Sequence, residues 1–323
     1  MKKPVVIVTE LEYRKGEAVF VSASDLEIIP GPSSEEPLAR VIREKDAFAV
    51  VLGVEKYGGP LYASLPAHGV IARFGVGYDG IDPVRAKEHA LFVINTPGVL
   101  EGAVAEQTLF LAGVLLRNIA VLDKNMRAGT WTPQLGTELK GKIWAVIGLG
   151  AIGKQVGKIA SFGFGARVFG CDTQLPAPKE LEKKYGIEKI STDYFEIASS
   201  ADILSLHIPA NKETHHYLNF DRLRVLKPSA ILINTARGSL VDEAALYDAL
   251  CGGKLTGAAL DVYQNEPYRP VHPNKDLREL ANVVLTPHTS SSTREACERV
   301  AERVLQNIRY ARTKEVQKMD LVF

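Results

Sequence analysis

The 323-residue chain carries 39 Lys and Arg against 38 Asp and Glu, a formal net charge of +1. So even a balance excludes the broad basic face by which a nucleic-acid-binding protein shows in its composition. With 46% hydrophobic and 24% charged residues, disorder, collagen-like repeats and a disulfide scaffold are excluded too, and a length above roughly 250–300 residues points to two domains.

In chain order, the first apolar run is Val5-Val6-Ile7-Val8, after Lys2, Lys3 and Pro4. Glu10 and Glu12 end it too early for a signal peptide, so it reads as a buried first strand. Further strands are expected at 47–52, 70–74, 92–95, 143–147, 167–170, 203–207, 230–234, 258–262 and 283–286. Runs such as Trp144-Ala145-Val146-Ile147 and Ile231-Leu232-Ile233 are continuously apolar, as a strand covered by helices on both faces must be. The expected fold class is therefore α/β, with two doubly wound parallel sheets. Between the fourth and fifth strands lies an apolar helix, from 103 to about 118, expected in a core, a domain junction or a subunit interface. No run reaches the ~18 apolar residues of a membrane span. Cys171, Cys251 and Cys297 form no CxxC pair, which argues for a reducing, cytoplasmic setting and against structural zinc.

The fifth strand runs straight into Gly148-Leu149-Gly150-Ala151-Ile152-Gly153 and then a helical pattern. Strand, glycine turn and helix, with an acid closing the next strand, form the context in which such a turn binds a dinucleotide. Gly148 allows the tight turn, Gly150 lets backbone approach a pyrophosphate, and Gly153 lets the helix pack closely. The first helical residues, Ala151 and Ile152, offer N–H groups to the anion. The acid is Asp172, suited to both ribose hydroxyls and repulsive to a 2′-phosphate. Thr173 and Gln174 bring no cation, so NAD is expected over NADP. The other readings of this turn are an adenosyl pocket of methyltransferase type and a glycine turn without nucleotide.

Three later strand ends carry chemistry, where open α/β sheets place their ligand crevice. Arg237, in Asn234-Thr235-Ala236-Arg237-Gly238, can aim a planar fork at a carboxylate; its other reading is a surface salt bridge. Glu266 precedes Pro267 in a loop and, taken alone, reads as solvated. His288 follows Thr286-Pro287 just past the last strand. His207, ahead of Ile208 and Pro209, is expected to line the cofactor crevice, whereas His68, His89, His215, His216 and His272 read as solvated or packed.

Together these segments resemble the D-isomer-specific 2-hydroxyacid dehydrogenase family, which includes phosphoglycerate dehydrogenase and the glyoxylate/hydroxypyruvate reductases. Besides the segments already named, the resemblance rests on Gly75-Val76-Gly77-Tyr78-Asp79, Asn95-Thr96-Pro97-Gly98, Ala103-Val104-Ala105-Glu106, Leu139-Lys140-Gly141-Lys142 and Leu260-Asp261-Val262. It implies a Rossmann NAD domain at 101–288, inserted into a flavodoxin-like substrate domain of 1–100 and 289–323. It also implies catalytic roles for Arg237, Glu266 and His288, and a cofactor site that includes His207, Pro209, Thr235, Ala236 and Asp261. Val76 and Gly77 would present backbone amides to the substrate carboxylate. Relatives pair through the helix matching 103–118, so a homodimer is implied, with no nucleic-acid or membrane partner. Ala151 departs from the larger, often basic residue at that turn, and Thr289-Ser290-Ser291 lacks a glycine often found there.

The implied reaction is reversible hydride transfer between NAD(H) and C2 of a small D-2-hydroxy or 2-keto acid. Arg237 would hold the carboxylate, and protonated His288, favoured by Glu266, would give the proton. No metal is expected, since Arg237 and His288 supply the positive field. The alternatives are an NAD(H)-dependent binding or sensor protein of the same fold and a relative acting on another small anion such as phosphite.

Overall fold

The computed structural model describes residues 3–175 and 177–323. The chain divides into two compact units. One comprises residues up to Leu100 together with Ser291–Phe323, and the other is Glu101–Ser290. The second crossing falls two residues later than the sequence suggested, because the N–H groups of Thr289 and Ser290 bond the carboxylate of Asp261.

The first unit is a five-stranded parallel sheet of β1 (Val5–Thr9), β2 (Glu27–Gly31), β3 (Ala49–Leu52), β4 (Val70–Arg73) and β5 (Phe92–Ile94). Its order, β2-β1-β3-β4-β5, is that of flavodoxin. Val5, Ile7, Val50, Leu52, Ile71 and Val93 are buried with Leu38 and Ile42 of helix Glu35–Lys45. Helix Arg294–Arg312 buries Val300, Val304 and Ile308 in this unit. The segment after it is tied back: Asp320 accepts hydrogen bonds from Arg303 and Asn307, and Leu321 bridges to Ile94.

The second unit is a seven-stranded parallel sheet of β6 (Ile143–Ile147), β7 (Arg167–Cys171), β8 (Ile187–Ser191), β9 (Ile203–Leu206), β10 (Ile231–Asn234), β11 (Gly257–Leu260) and β12 (Val283–Leu285). The order is β12-β11-β10-β9-β6-β7-β8. Counted from β6, this is the Rossmann order extended by one strand, and it reverses between β6 and β9. One face of the sheet packs on helix Glu101–Leu116, whose Ala105, Leu109, Leu111 and Ala112 join Trp144, Val146, Ile231 and Ile233 in one cluster.

Ten strands were expected, and β2 and β8 are additions. Both lie at sheet edges, where one flank meets solvent and the continuously apolar signal lapses. β2 includes Glu27 and Pro30, and β8 includes Glu188 and Lys189. The apolar helix starts at Glu101 and ends at Leu116, and left-handed Asn118 (φ +54°) precedes a second helix, Ile119–Arg127. Among the described residues no single helix is long and apolar enough to cross a membrane. These two reach that length and composition only as a pair bent by 61°.

Candidate active site

β6 leads into the glycine turn at the reversal of strand order, where a doubly wound sheet opens its ligand crevice. Gly148 has φ +99°, and its N–H donates to Cys171 O at 2.8 Å. A Cβ there would stand 2.6 Å from the carbonyl oxygen of His207, and one on Gly153 would stand 1.9 Å from that of Gly148. Those glycines permit close packing of turn, strand and helix. Gly150 differs: nothing lies within 4 Å of its Cβ position. It leaves open backbone at the N-terminus of helix Ala151–Lys158, as a pyrophosphate needs. Asp172, just past β7, accepts from Leu149 N–H at 2.7 Å and so lies against the turn. This set of residues fits a dinucleotide.

His207 follows β9. Its Nε2 lies 2.9 Å from Ser205 Oγ, which also accepts from Trp144 Nε1 at 2.9 Å. Either neutral tautomer of the imidazole can pair with the Ser205 hydroxyl, as acceptor or as donor. Burial depresses the imidazole pKa to about 3, in keeping with a neutral ring. Pro209 lies two residues beyond, exposed.

β10 delivers Thr235, Ala236 and Arg237. Asn234, buried at the strand end, accepts from Ala236 N–H at 3.1 Å and donates to Arg237 O at 2.8 Å. The Thr235 hydroxyl lies 3.0 Å from that of Thr108. Gly238 is packed so tightly on the Tyr263–Gln264 peptide that a Cβ would stand 1.8 Å from Tyr263 C. The loop bearing Arg237 is thereby set against the loop bearing Glu266.

His288 Nδ1 lies 2.8 Å from Glu266 Oε2, with the two side chains 24% and 28% exposed. The other Glu266 oxygen accepts from Tyr263 N–H at 3.0 Å. Burial works to raise the Glu266 carboxyl, but the hydrogen bond and charge of His288, the Tyr263 N–H and the charge of Arg237 outweigh it, leaving it below the ordinary carboxylate range. His288 itself has a left-handed backbone (φ +53°), uncommon outside glycine. Its N–H donates to Asp261 O at 2.8 Å. The Asp261 side chain is 0% exposed, and its two oxygens take up Thr286 Oγ1, Thr289 N, Ser290 N and Ser290 Oγ. Asp261 therefore builds the turn that presents His288.

Arg237, Glu266 and His288 thus fall within one unit, as do the turn 148–153, Asp172, His207, Thr235, Ala236 and Asp261. Val76 and Gly77 belong to the other, in the loop after β4, where Asn95 Nδ2 donates to Val76 O at 2.8 Å. Sequence reasoning missed the supports behind these residues: Ser205 and Trp144 behind His207, and Glu243 and Gln264 behind Glu266. Ser205 leaves a trace, a polar residue inside an apolar strand, whereas Glu243 looks like any acid opening a helix.

Residues 109–290 match the family model described as the NAD binding domain of D-isomer specific 2-hydroxyacid dehydrogenase. The chain belongs to this family. A glyoxylate reductase of Thermofilum pendens is 38% identical over 322 residues, covering 95% of this chain and 91% of that protein. Among solved structures, a glyoxylate reductase from Paecilomyes thermophila superposes with a TM-score of 0.81 at 28% identity, covering 100% and 99% of the two chains. An NADPH-dependent glyoxylate/hydroxypyruvate reductase from Sinorhizobium meliloti gives 0.80 at 27%, covering 96% and 93%. The dehydrogenase is an NAD-dependent oxidoreductase moving hydride between nicotinamide and C2 of a small 2-hydroxy or 2-keto acid, and these similarities do not favour the sensor reading.

Proposed function

We propose that the dehydrogenase reduces glyoxylate or a 2-keto acid of similar size, with Arg237, Glu266 and His288 as its catalytic residues. The 2.8 Å contact between His288 Nδ1 and Glu266 Oε2 carries this reading. It directs the Nδ1 proton to the carboxylate and leaves Nε2 as the nitrogen that exchanges a proton with the substrate oxygen. The turn 148–153, Asp172 and the His207–Pro209 and Thr235–Ala236 segments would hold NADH, whose chemistry there would be hydride donation to C2. Arg237 holds the substrate carboxylate and polarises the keto oxygen, which imidazolium His288 protonates as charge develops on it. Glu266 keeps that imidazolium paired, and Asp261 acts through the turn it builds.

The glyoxylate reductases named above support the substrate class, and Asp172 supports NADH over NADPH. Loss of NADH absorbance over glyoxylate, hydroxypyruvate, pyruvate and phosphohydroxypyruvate tests the proposal. The highest kcat/KM is expected with glyoxylate or hydroxypyruvate, and no consumption of NADH with any of the four overturns it.

The homodimer expected from the family resemblance is proposed to form through the helix matching 103–118 and the segment that follows it, to 135. Phe110, Met126, Trp131 and Leu135 are exposed there, Leu135 at 98%. Light scattering of Leu135→Lys should show monomer where the wild-type protein shows dimer, and a wild-type monomer at micromolar concentration overturns the pairing.

A further inference from the structure

Behind the pair of Glu266 and His288 lies a carboxyl that the proposed reaction does not use. Glu243 opens helix Glu243–Cys251 yet is only 3% exposed. An acid in a first helical turn is ordinarily solvated and gains from the helix dipole alone. Here the side chain turns inward to the loop that bears Glu266. Glu243 Oε1 accepts from Gln264 N–H at 2.5 Å, and Gln264 Oε1 accepts from Glu243 N–H at 3.1 Å. This reciprocal pair joins the helix start to the loop two residues before Glu266. Because Glu243 N–H must meet oxygen, the Gln264 amide has a defined orientation, and its Nε2 faces His216 Nε2 at 2.8 Å. His216 therefore accepts there and is neutral, which agrees with burial and His215 holding its pKa below the ordinary histidine value.

We propose that Glu243, locked to Gln264, is the positioning residue for Glu266, and through it for His288. The proposal rests on the catalytic reading of Glu266 and His288 given above. Its geometry is short. The Tyr263–Gln264 peptide is confined between Gly238, where no Cβ fits, and the Glu243 carboxyl. Tyr263 N–H then holds one Glu266 oxygen while His288 holds the other. A displaced Gln264 moves the Tyr263 N–H, and with it the carboxylate that faces the imidazole.

Glu243 Oε2 is buried and has no hydrogen-bond partner among the described residues. Burial, with like charge from Glu266 and Asp242, pushes the Glu243 carboxyl up to about 7 despite the Gln264 N–H. Tyr263, Tyr268 and, beyond Gln264, His216 complete its titratable surroundings. Below that pH the neutral acid adds no second negative charge beside Glu266, and a Gln in this place preserves the acceptor oxygen and that neutrality.

Glu243→Ala is expected to lower kcat about tenfold or more, as loss of correct acid positioning does, with KM for NADH unchanged within about twofold. The alkaline limb of the kcat–pH profile should move to lower pH. Glu243→Gln should restore most of the turnover and the position of the limb. A Glu243→Ala enzyme with wild-type kcat and limb, or one whose kcat and NADH affinity fall together with the limb unmoved, overturns the proposal. If Glu243→Ala does not fold, Gln264→Met decides, since it removes the side-chain bond of the pair and keeps the backbone N–H of position 264 on the Glu243 carboxyl: a limb shifted downward supports positioning, and an unmoved limb overturns it. His288→Asn, assayed alongside, separates the two readings. Turnover retained in that variant removes the catalytic assignment itself, whereas turnover lost there with Glu243→Ala at wild-type levels removes only the positioning role.

Discussion

Glu266 Oε2 and His288 Nδ1 meet at 2.8 Å within one compact unit, although they stand 22 positions apart in the chain. Because the carboxyl lies below the ordinary carboxylate range, it is ionised throughout a neutral assay, and the imidazolium always has its anion. His288→Asn should lower kcat by about 10²–10⁴-fold, the usual worth of a positioned acid. NADH affinity, read by fluorescence titration, should stay within about twofold. Glu266→Gln should lower kcat by about tenfold or more, as loss of the group that orients the acid does, and an unchanged kcat contradicts the pairing.

Two glycines of the turn should respond differently to a single methyl group. At Gly153 a Cβ would stand 1.9 Å from a carbonyl oxygen, so Gly153→Ala should lower the thermal midpoint and destabilise by about 1–3 kcal/mol. At Gly150 the Cβ position is open. Gly150→Ala should therefore unfold like the wild-type protein while binding NADH about tenfold or more weakly, because the methyl group occupies the pyrophosphate approach. Equal NADH affinity in the Gly150 variant would refute the placement of the phosphates.

Asp172 lies against the phosphate turn through Leu149 N–H, with no basic residue among Thr173, Gln174 and Leu175. The wild-type kcat/KM should favour NADH over NADPH by about 100-fold, and Asp172→Ser should cut that ratio by about tenfold or more through lost repulsion of the 2′-phosphate. A wild-type preference for NADPH, the cofactor of the Sinorhizobium meliloti reductase, would overturn this reading.

His207 makes stability depend on pH in a defined direction. Its folded pKa is depressed to about 3 from 6.5, so the unfolded chain binds the extra proton between those values. The contribution is intact above the unfolded value and is lost as pH falls. Between pH 7 and pH 5 the imidazole should remove about 2 kcal/mol of unfolding free energy. Chemical denaturation at the two pH values should show a drop smaller by about that amount in His207→Gln, and identical pH dependence in the two proteins would show that His207 is not held neutral.

Much of this was legible in the sequence because both sheets are parallel and covered, which makes central strands such as Trp144-Ala145-Val146-Ile147 continuously apolar. The edge strands β2 and β8 escaped, since half-exposed strands admit Glu27, Glu188 and Lys189. Arg237, His288 and the glycines drew notice by standing at strand ends, and Glu266 only through the family resemblance. Their supports did not, because Glu243 and Gln264 meet from 21 positions apart, a proximity that no local pattern encodes. Asp261 was legible as a position, and its burial beneath Thr286, Thr289 and Ser290 was not.

The return of Ser291–Phe323 to the first unit bears on how the chain is made. During synthesis, the five strands of that unit emerge first but lack helix Arg294–Arg312, whose Val300, Val304 and Ile308 complete its core. The residues of the Rossmann sheet, 143–285, are all available earlier. The unit begun first is thus completed last, and a chain halted near residue 290 would hold a whole nucleotide-binding sheet beside an unsealed one. Quality control that detects exposed apolar surface would then find premature termination in the N-terminal strands, far from where translation stopped.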